Sequence, residues 1–296
     1  MKPNRTQNLL LRPLHTLSPR SVALHAFLVI LSILVLPPML WMVTTAFKGL
    51  RDQGVSLFLP AGDGFFGVAW DRLTVDNFDT LLKQTRMGTA LLNSVFLASV
   101  AAVGATVCCA AGGYALARFE FRGKRAITVL VLGALIIPPP LLLAPTYELL
   151  YQLNLLDTYW GLLLPAFAPA FGVFLFRQAS VQSVPREILE AARIDGCGEL
   201  RMFVTIALPL LRPMVGAFML ITYLAWWNNF IGPQVVLQSP EKYPVAVAIA
   251  QLKGNYYQDY GLQMAATLVS VAPVMVLFLL LQRDFIAGLT AGAVKG

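Results

Sequence analysis

The chain has 296 residues, 57% of them hydrophobic and only 12% charged, where soluble domains carry about a quarter charged. With a mean hydropathy of +0.69, this balance excludes an ordinary water-soluble domain. The formal net charge of +7 follows membrane topology and implies no nucleic-acid partner.

Six stretches carry no Asp, Glu, Lys or Arg: 22–47, 90–117, 126–146, 159–176, 213–240 and 260–282. Each is near or above the roughly 18 to 20 residues that cross a hydrocarbon core. Backbone groups in lipid must bond internally, and runs this long exceed the strands of a barrel. The expected fold class is therefore all-α, a polytopic membrane protein with six transmembrane helices.

In chain order, residues 1–21 form a basic tail and 22–47 the first helix, which is too long for the core of a cleaved leader and is expected to be retained. The 48–87 connection holds five basic and five acidic residues. It is too short for a domain, and a small helix over 73–83 is expected to open at Thr74 or Asp76. This connection fits either a cap over the mouth of the bundle or a contact surface for an external partner. Residues 88–283 make a five-helix core to which the first helix is an appendage, and 284–296 form a tail. Pro37-Pro38 and Pro138-Pro139-Pro140 each remove backbone hydrogen bonds, so kinks or breaks are expected there.

Between the fourth and fifth runs lies a charged helix–turn–helix, 183–208. Ser183 can accept free first-turn amides, Pro185 suits an N-terminus and Glu187 suits its positive end, so a helix is expected to begin near Val184. Gly196 can take the left-handed conformation that ends it, and helix resumes from Glu199 until Pro209 and Pro213. Val184, Ile188 and Ala191 or Ala192 share a face at three- and four-residue spacing, which reads as a docking face.

Orientation follows from the basic residues. With the N-terminus inside, 15 of the 22 Lys and Arg fall in cytoplasmic segments, which places both termini and the 183–208 loop in the cytoplasm. Of three cysteines, Cys108 and Cys109 adjoin within a span and Cys197 lies on the reducing side, so no bridge is expected. Tyr223, Trp226, Trp227, Asn228 and Asn229 fit either a sugar grip or an aromatic belt at the membrane surface.

The spans lack the ionisable groups that mark proton and ion paths. No Gly-x-x-x-x-Gly-Lys-Ser/Thr run cradles a nucleotide, and His15 and His25 form no metal-binding pair. A membrane-embedded enzyme would need intramembrane carboxylates, a Ser-His pair or a metal triad. The chain is thus expected to be a non-catalytic transport subunit driven from outside.

The run Glu190-Ala191-Ala192, Asp195-Gly196, Ile206, Leu208-Pro209 resembles the coupling loop of the permease subunits of binding-protein-dependent ABC importers. The likeness extends over Asn93-Ser94, Tyr114-Ala115 and Arg118-Phe119. Trp227-Asn228-Asn229-Phe230 and the ending from Gly288 to Gly296 are similar to the smaller permease of maltose-type sugar systems. Cys197 departs from the alanine usual there, by a small change. The resemblance implies a type I ABC importer permease fold in the cell (inner) membrane and import of a sugar. It implies a second permease as heterodimer partner, two ATPase subunits and an extracytoplasmic sugar-binding protein. No cofactor belongs to this chain, since ATP and Mg would be bound by the ATPase. Glu190, Ala191, Ala192, Asp195, Gly196, Leu208 and Pro209 would couple to the ATPase, and Gly288, Thr290, Gly292 and Lys295 would reach the ATPase pair. Tyr223, Trp227, Asn228 and Asn229 would line the substrate pathway, although the partner permease can supply most of that site. A non-sugar solute, or an autonomous ion-coupled carrier, is the alternative.

Overall fold

The computed structural model describes the backbone of residues 19–253 and 259–293, and side chains over 21–253 and 259–279. The 1–18 part of the N-terminal tail and Lys295 lie outside the described residues. No β-strand occurs among the described residues, as a lipid-embedded chain requires when its backbone groups must bond within each segment.

Three long helices, α1 (Pro19–Ala46), α3 (Met87–Arg118) and α14 (Tyr260–Ala293), have 28, 32 and 34 residues. Two shorter ones, α6 (Tyr159–Ala166) and α7 (Ala170–Ser183), combine in one span of 25 residues. The remaining two spans are bent. Helix α4 (Lys124–Ala134) meets the segment Pro139–Gln152, which contains α5 (Leu143–Gln152), at 105°. The segment Glu199–Leu210 meets α11 (Arg212–Trp227) at 80°. Four helices are long and apolar enough to cross a membrane, and six spans result when each bent pair counts as one.

The prolines act differently in the two places where they cluster. Pro138 precedes another proline, which excludes the helical region for it, and it is extended at ψ 127. The third apolar run breaks there. Pro37 and Pro38 lie inside α1, which does not break there; proline is tolerated in membrane helices where local adjustment can re-satisfy the freed carbonyls. The fifth run also departs from expectation. Its helix stops at Trp227, and 228–230 are non-helical before α12 (Ile231–Val236). The cause is local capping: Asn228 Nδ2 donates to the Leu224 carbonyl at 2.9 Å, and Asn229 Oδ1 accepts from the Gly232 N–H at 3.3 Å.

Helix α3 is the axis of the core. A Cβ added at Gly113 would sit 2.6 Å from the Arg177 backbone nitrogen, so only glycine lets α3 and α7 approach this closely. One buried cluster at the Arg118 end of α3 joins Cys109, Tyr114, Phe176, Leu189, Met202 and Phe218. A second, toward the Met87 end, joins Ala46, Leu81, Trp227, Ala265 and Val245, the first residue of α13 (Val245–Gln251). A third gathers Leu97, Leu150, Leu163 and Val236. By contrast, the apolar stretch of α1 buries none of its residues within the bundle and packs chiefly on α14.

The 48–87 connection is pinned to the end of α1. Lys48 is fully buried, and its Nζ donates to the carbonyls of Ser56 at 2.7 Å and Leu57 at 3.1 Å. Burial pushes this ammonium below its ordinary range, against the opposing pull of Asp52. Helix α2 (Asp76–Gln84) opens where expected, with Thr74 Oγ1 accepting from the Asp76 N–H at 3.0 Å. Its Asn77 Nδ2 donates to the carbonyls of Ala46 and Lys48, closing the free end of α1.

Candidate functional site

The charged segment after α7 begins with α8 (Arg186–Ile194). Pro185 is the capping residue, without a side-chain cap. Ser183 is instead the last residue of α7, so the helix starts two positions later than Val184, because Pro185 holds the residue before it extended. Gly196 has φ +77, the left-handed turn expected of it. Its N–H bonds the Arg193 carbonyl at 3.0 Å and the Cys197 N–H bonds that of Ala192 at 2.9 Å, the paired closure of a Schellman turn. Chain then continues through α9 (Glu199–Met202), a wider five-residue turn over Phe203–Ala207, and α10 (Leu208–Leu210).

The face expected to dock is divided. Val184 is 1% exposed and Leu189 2%, and with Ala192 and Cys197 they pack into the bundle beside Met202 and Phe176. Ile188, Glu190, Ala191, Asp195 and Gly196 face outward. Leu208 packs on the same cluster, whereas Pro209 is exposed. Two outward apolar residues stand outside the face expected to dock: Ile194 is 87% exposed and Leu200 78%. The signal for Ile194 was its spacing from Ile188 and Ala191, opposite Leu189 and Ala192.

Charge fixes this segment at both ends. The Arg118 guanidinium, at the end of α3, donates through Nη2 to the Ser180 carbonyl at 2.6 Å and to that of Val184. A cation there meets the negative C-terminal end of α7. Across the Gly196 turn, Arg193 Nε and Nη2 reach Glu199 Oε1 and Oε2 at 2.7 and 3.2 Å. The fork is bidentate, and its hydrogen bond to Glu199 holds the Arg193 guanidinium above its ordinary range. Between them, Arg118, Glu120, Arg186, Leu189, Glu190 and Arg193 line a polar groove. The hydrogen bond from Lys124 holds the Glu120 carboxyl below its ordinary range.

The aromatic and amide residues near the end of α11 separate into two environments. Trp227 is buried and stacks on half-buried Tyr223, ring centroids 6.0 Å apart. Asn228 is exposed and engaged with its own helix. Asn229 instead lines a cavity of about 260 Å³ together with Trp226 and Thr146. Nearby, Asp157 at φ +54 organises the neighbouring connection. Its carboxylate accepts from Lys242 Nζ, the Ser239 hydroxyl and the backbone N–H groups of Ser239 and Gln238. These bonds, that of Lys242 foremost, hold its carboxyl well below the usual range.

The backbone of α14 continues through Gly288, Thr290 and Gly292 to Ala293, while Lys295 lies outside the described residues. Among the described residues no group of three His, Cys, Asp or Glu could hold a metal.

Residues 109–289 match the family model described as "Binding-protein-dependent transport system inner membrane component". The chain is 38% identical over 225 residues to the arabinooligosaccharides transport system permease protein AraQ of Halalkalibacterium halodurans, covering 76% of this chain and 80% of that one. It is 31% identical over 291 residues to the melibiose/raffinose/stachyose import permease protein MelC of Bacillus subtilis, covering 97% and 100%. In fold it is similar to a chain of a bacterial ABC transporter involved in import of the acidic polysaccharide alginate. That likeness has a TM-score of 0.77 at 20% identity, over 96% of this chain and 99% of that one.

Proposed function

The chain belongs to the family of binding-protein-dependent transport system inner membrane components, and from that premise we propose that it forms half of the translocation pathway of an ATP-driven carbohydrate importer. A second permease completes the pathway, two ATPase subunits hydrolyse ATP, and an extracytoplasmic binding protein delivers the sugar. Both termini and α8 lie in the cytoplasm, where the excess of Lys and Arg puts them. The names of the relatives above support the substrate class.

The observation that carries this reading is the exposed helix–turn–helix on otherwise uncharged spans. It offers Ile194, Leu200, Glu190 and Asp195 outward, while its other face is locked into the bundle. A motor protein closing on ATP can push such a lever, provided the docked state and the closed state favour each other. Leu208 and Pro209 join the lever to α11. Gly288, Thr290 and Gly292, and Lys295 beyond the described residues, are assigned to contact with the same ATPase pair. The chain itself performs no catalysis and holds no cofactor; ATP and Mg belong to the ATPase.

Reconstitution into proteoliposomes tests this. The full set of subunits with loaded binding protein is expected to take up labelled oligosaccharide only with ATP. Uptake by this chain alone, driven by an ion gradient, would instead make it an autonomous carrier.

A further inference from the structure

Three interruptions of the spans converge on one place. The break at 135–138, the break at 167–169 and the break at 228–230 each abut the cavity of about 260 Å³, through Pro139, Ala166 and Asn229 respectively. Irregular backbone at membrane depth is tolerated where it is buried in protein or lines a water-filled cavity, and discontinuous helices mark binding sites in other transport proteins. The cavity wall is mostly apolar and carries no ionisable side chain, which disfavours an ion or a phosphate. Three of its lining residues, Trp226, Thr146 and Asn229, carry polar side-chain groups, and Asn229 uses its Oδ1 on the Gly232 N–H. A hydrocarbon tail has no use for these groups.

We infer that this cavity is a subsite for one ring of a neutral sugar, with the Trp226 ring as stacking wall and Thr146 and Asn229 as hydrogen-bonding groups. Apolar walls with a few convergent polar groups are the pattern of small-molecule sites, and the aromatic face with a polar handle suits the mixed surface of a sugar ring. This rests on the carbohydrate reading above and assigns part of the sugar contact to this chain, through Trp226 and not the buried Trp227.

The test uses the assembled transporter in proteoliposomes, with labelled maltotriose, raffinose and arabinotriose as probes. Thr146→Cys is placed in a chain whose Cys108, Cys109 and Cys197 are alanine, and its modification by a small methanethiosulfonate is timed with and without the transported sugar. The sugar is expected to slow modification, and sorbitol is not. In parallel, Trp226→Phe and the isosteric Thr146→Val are each expected to raise KM for uptake by about tenfold at unchanged kcat, the effect of one lost hydrogen bond. Uptake of a sugar with no protection and unchanged KM overturns the subsite and leaves the carbohydrate reading standing. Modification blocked with or without sugar, and freed by stripping lipid, identifies an acyl chain as the occupant and also overturns it. Uptake of none of the three sugars overturns the carbohydrate reading and the subsite with it.

Discussion

Asp157 shows how one side chain can hold a turn that no regular element supports. It sits in the left-handed region, where aspartate and asparagine are better tolerated than most residues, and its carboxylate takes four hydrogen bonds from the 238–242 segment. Because its folded pKa lies below the unfolded value, the unfolded chain binds more protons in the window between them. The stabilisation is therefore present above about pH 4 and is lost as pH falls through the folded value. Asp157→Asn keeps the backbone preference and removes the charge. The variant is expected to unfold about 2–4 °C lower at neutral pH, with the gap closing as pH falls below 4. Thermal unfolding in detergent across that range reads both effects, and a gap independent of pH would contradict the assignment. Gly196 was legible from sequence by the same local logic, since a helix followed by glycine and a polar turn leaves little choice. Asn228 and Asn229 were not, because capping is indistinguishable by sequence from ligand contact when both need an amide.

At the scale of elements, the sequence announced the spans and only some of their interruptions. Charge-free runs report length and leave boundaries open, so the end of α11 inside the 213–240 run was invisible while the Pro138 break was plain. The inward face of α8 was also ambiguous. Val184, Leu189 and Ala192 alternate with Ile188, Ala191 and Ile194, and both sets are apolar at helical spacing. Only the presence of Met202 across the turn and of Phe176 on α7 decides between them. The join between α8 and the bundle then falls to Arg118, which ties α3 to the carbonyls that end α7. Removing it leaves those carbonyls without their charged donor, a loss of about 1.5–3 kcal/mol. Arg118→Met is expected to lower the unfolding midpoint and cut uptake by about tenfold, while the ATPase subunits still copurify. Arg118→Lys should fall between, since an ammonium offers the charge without the planar reach. Equal uptake in all three forms would show that α8 needs no such anchor.

For the whole molecule, the tight α3–α7 pair at Gly113 and the Arg193–Glu199 fork make the end carrying α8 a stiff body. The bent third and fifth spans surround a cavity elsewhere in the bundle. Force applied at the α8 tip thus has a rigid route inward and a set of interrupted helices that can yield. The central claim is that this tip lies in the cytoplasm against an ATPase. The direct measurement is labelling of Ile194→Cys, in the background with the other cysteines replaced by alanine, with a membrane-impermeant maleimide. The label is expected to fail in intact cells, to react in inside-out vesicles, and to be blocked there when the ATPase subunits are bound. Reaction from outside intact cells, or labelling in vesicles that bound ATPase does not slow, would contradict the account.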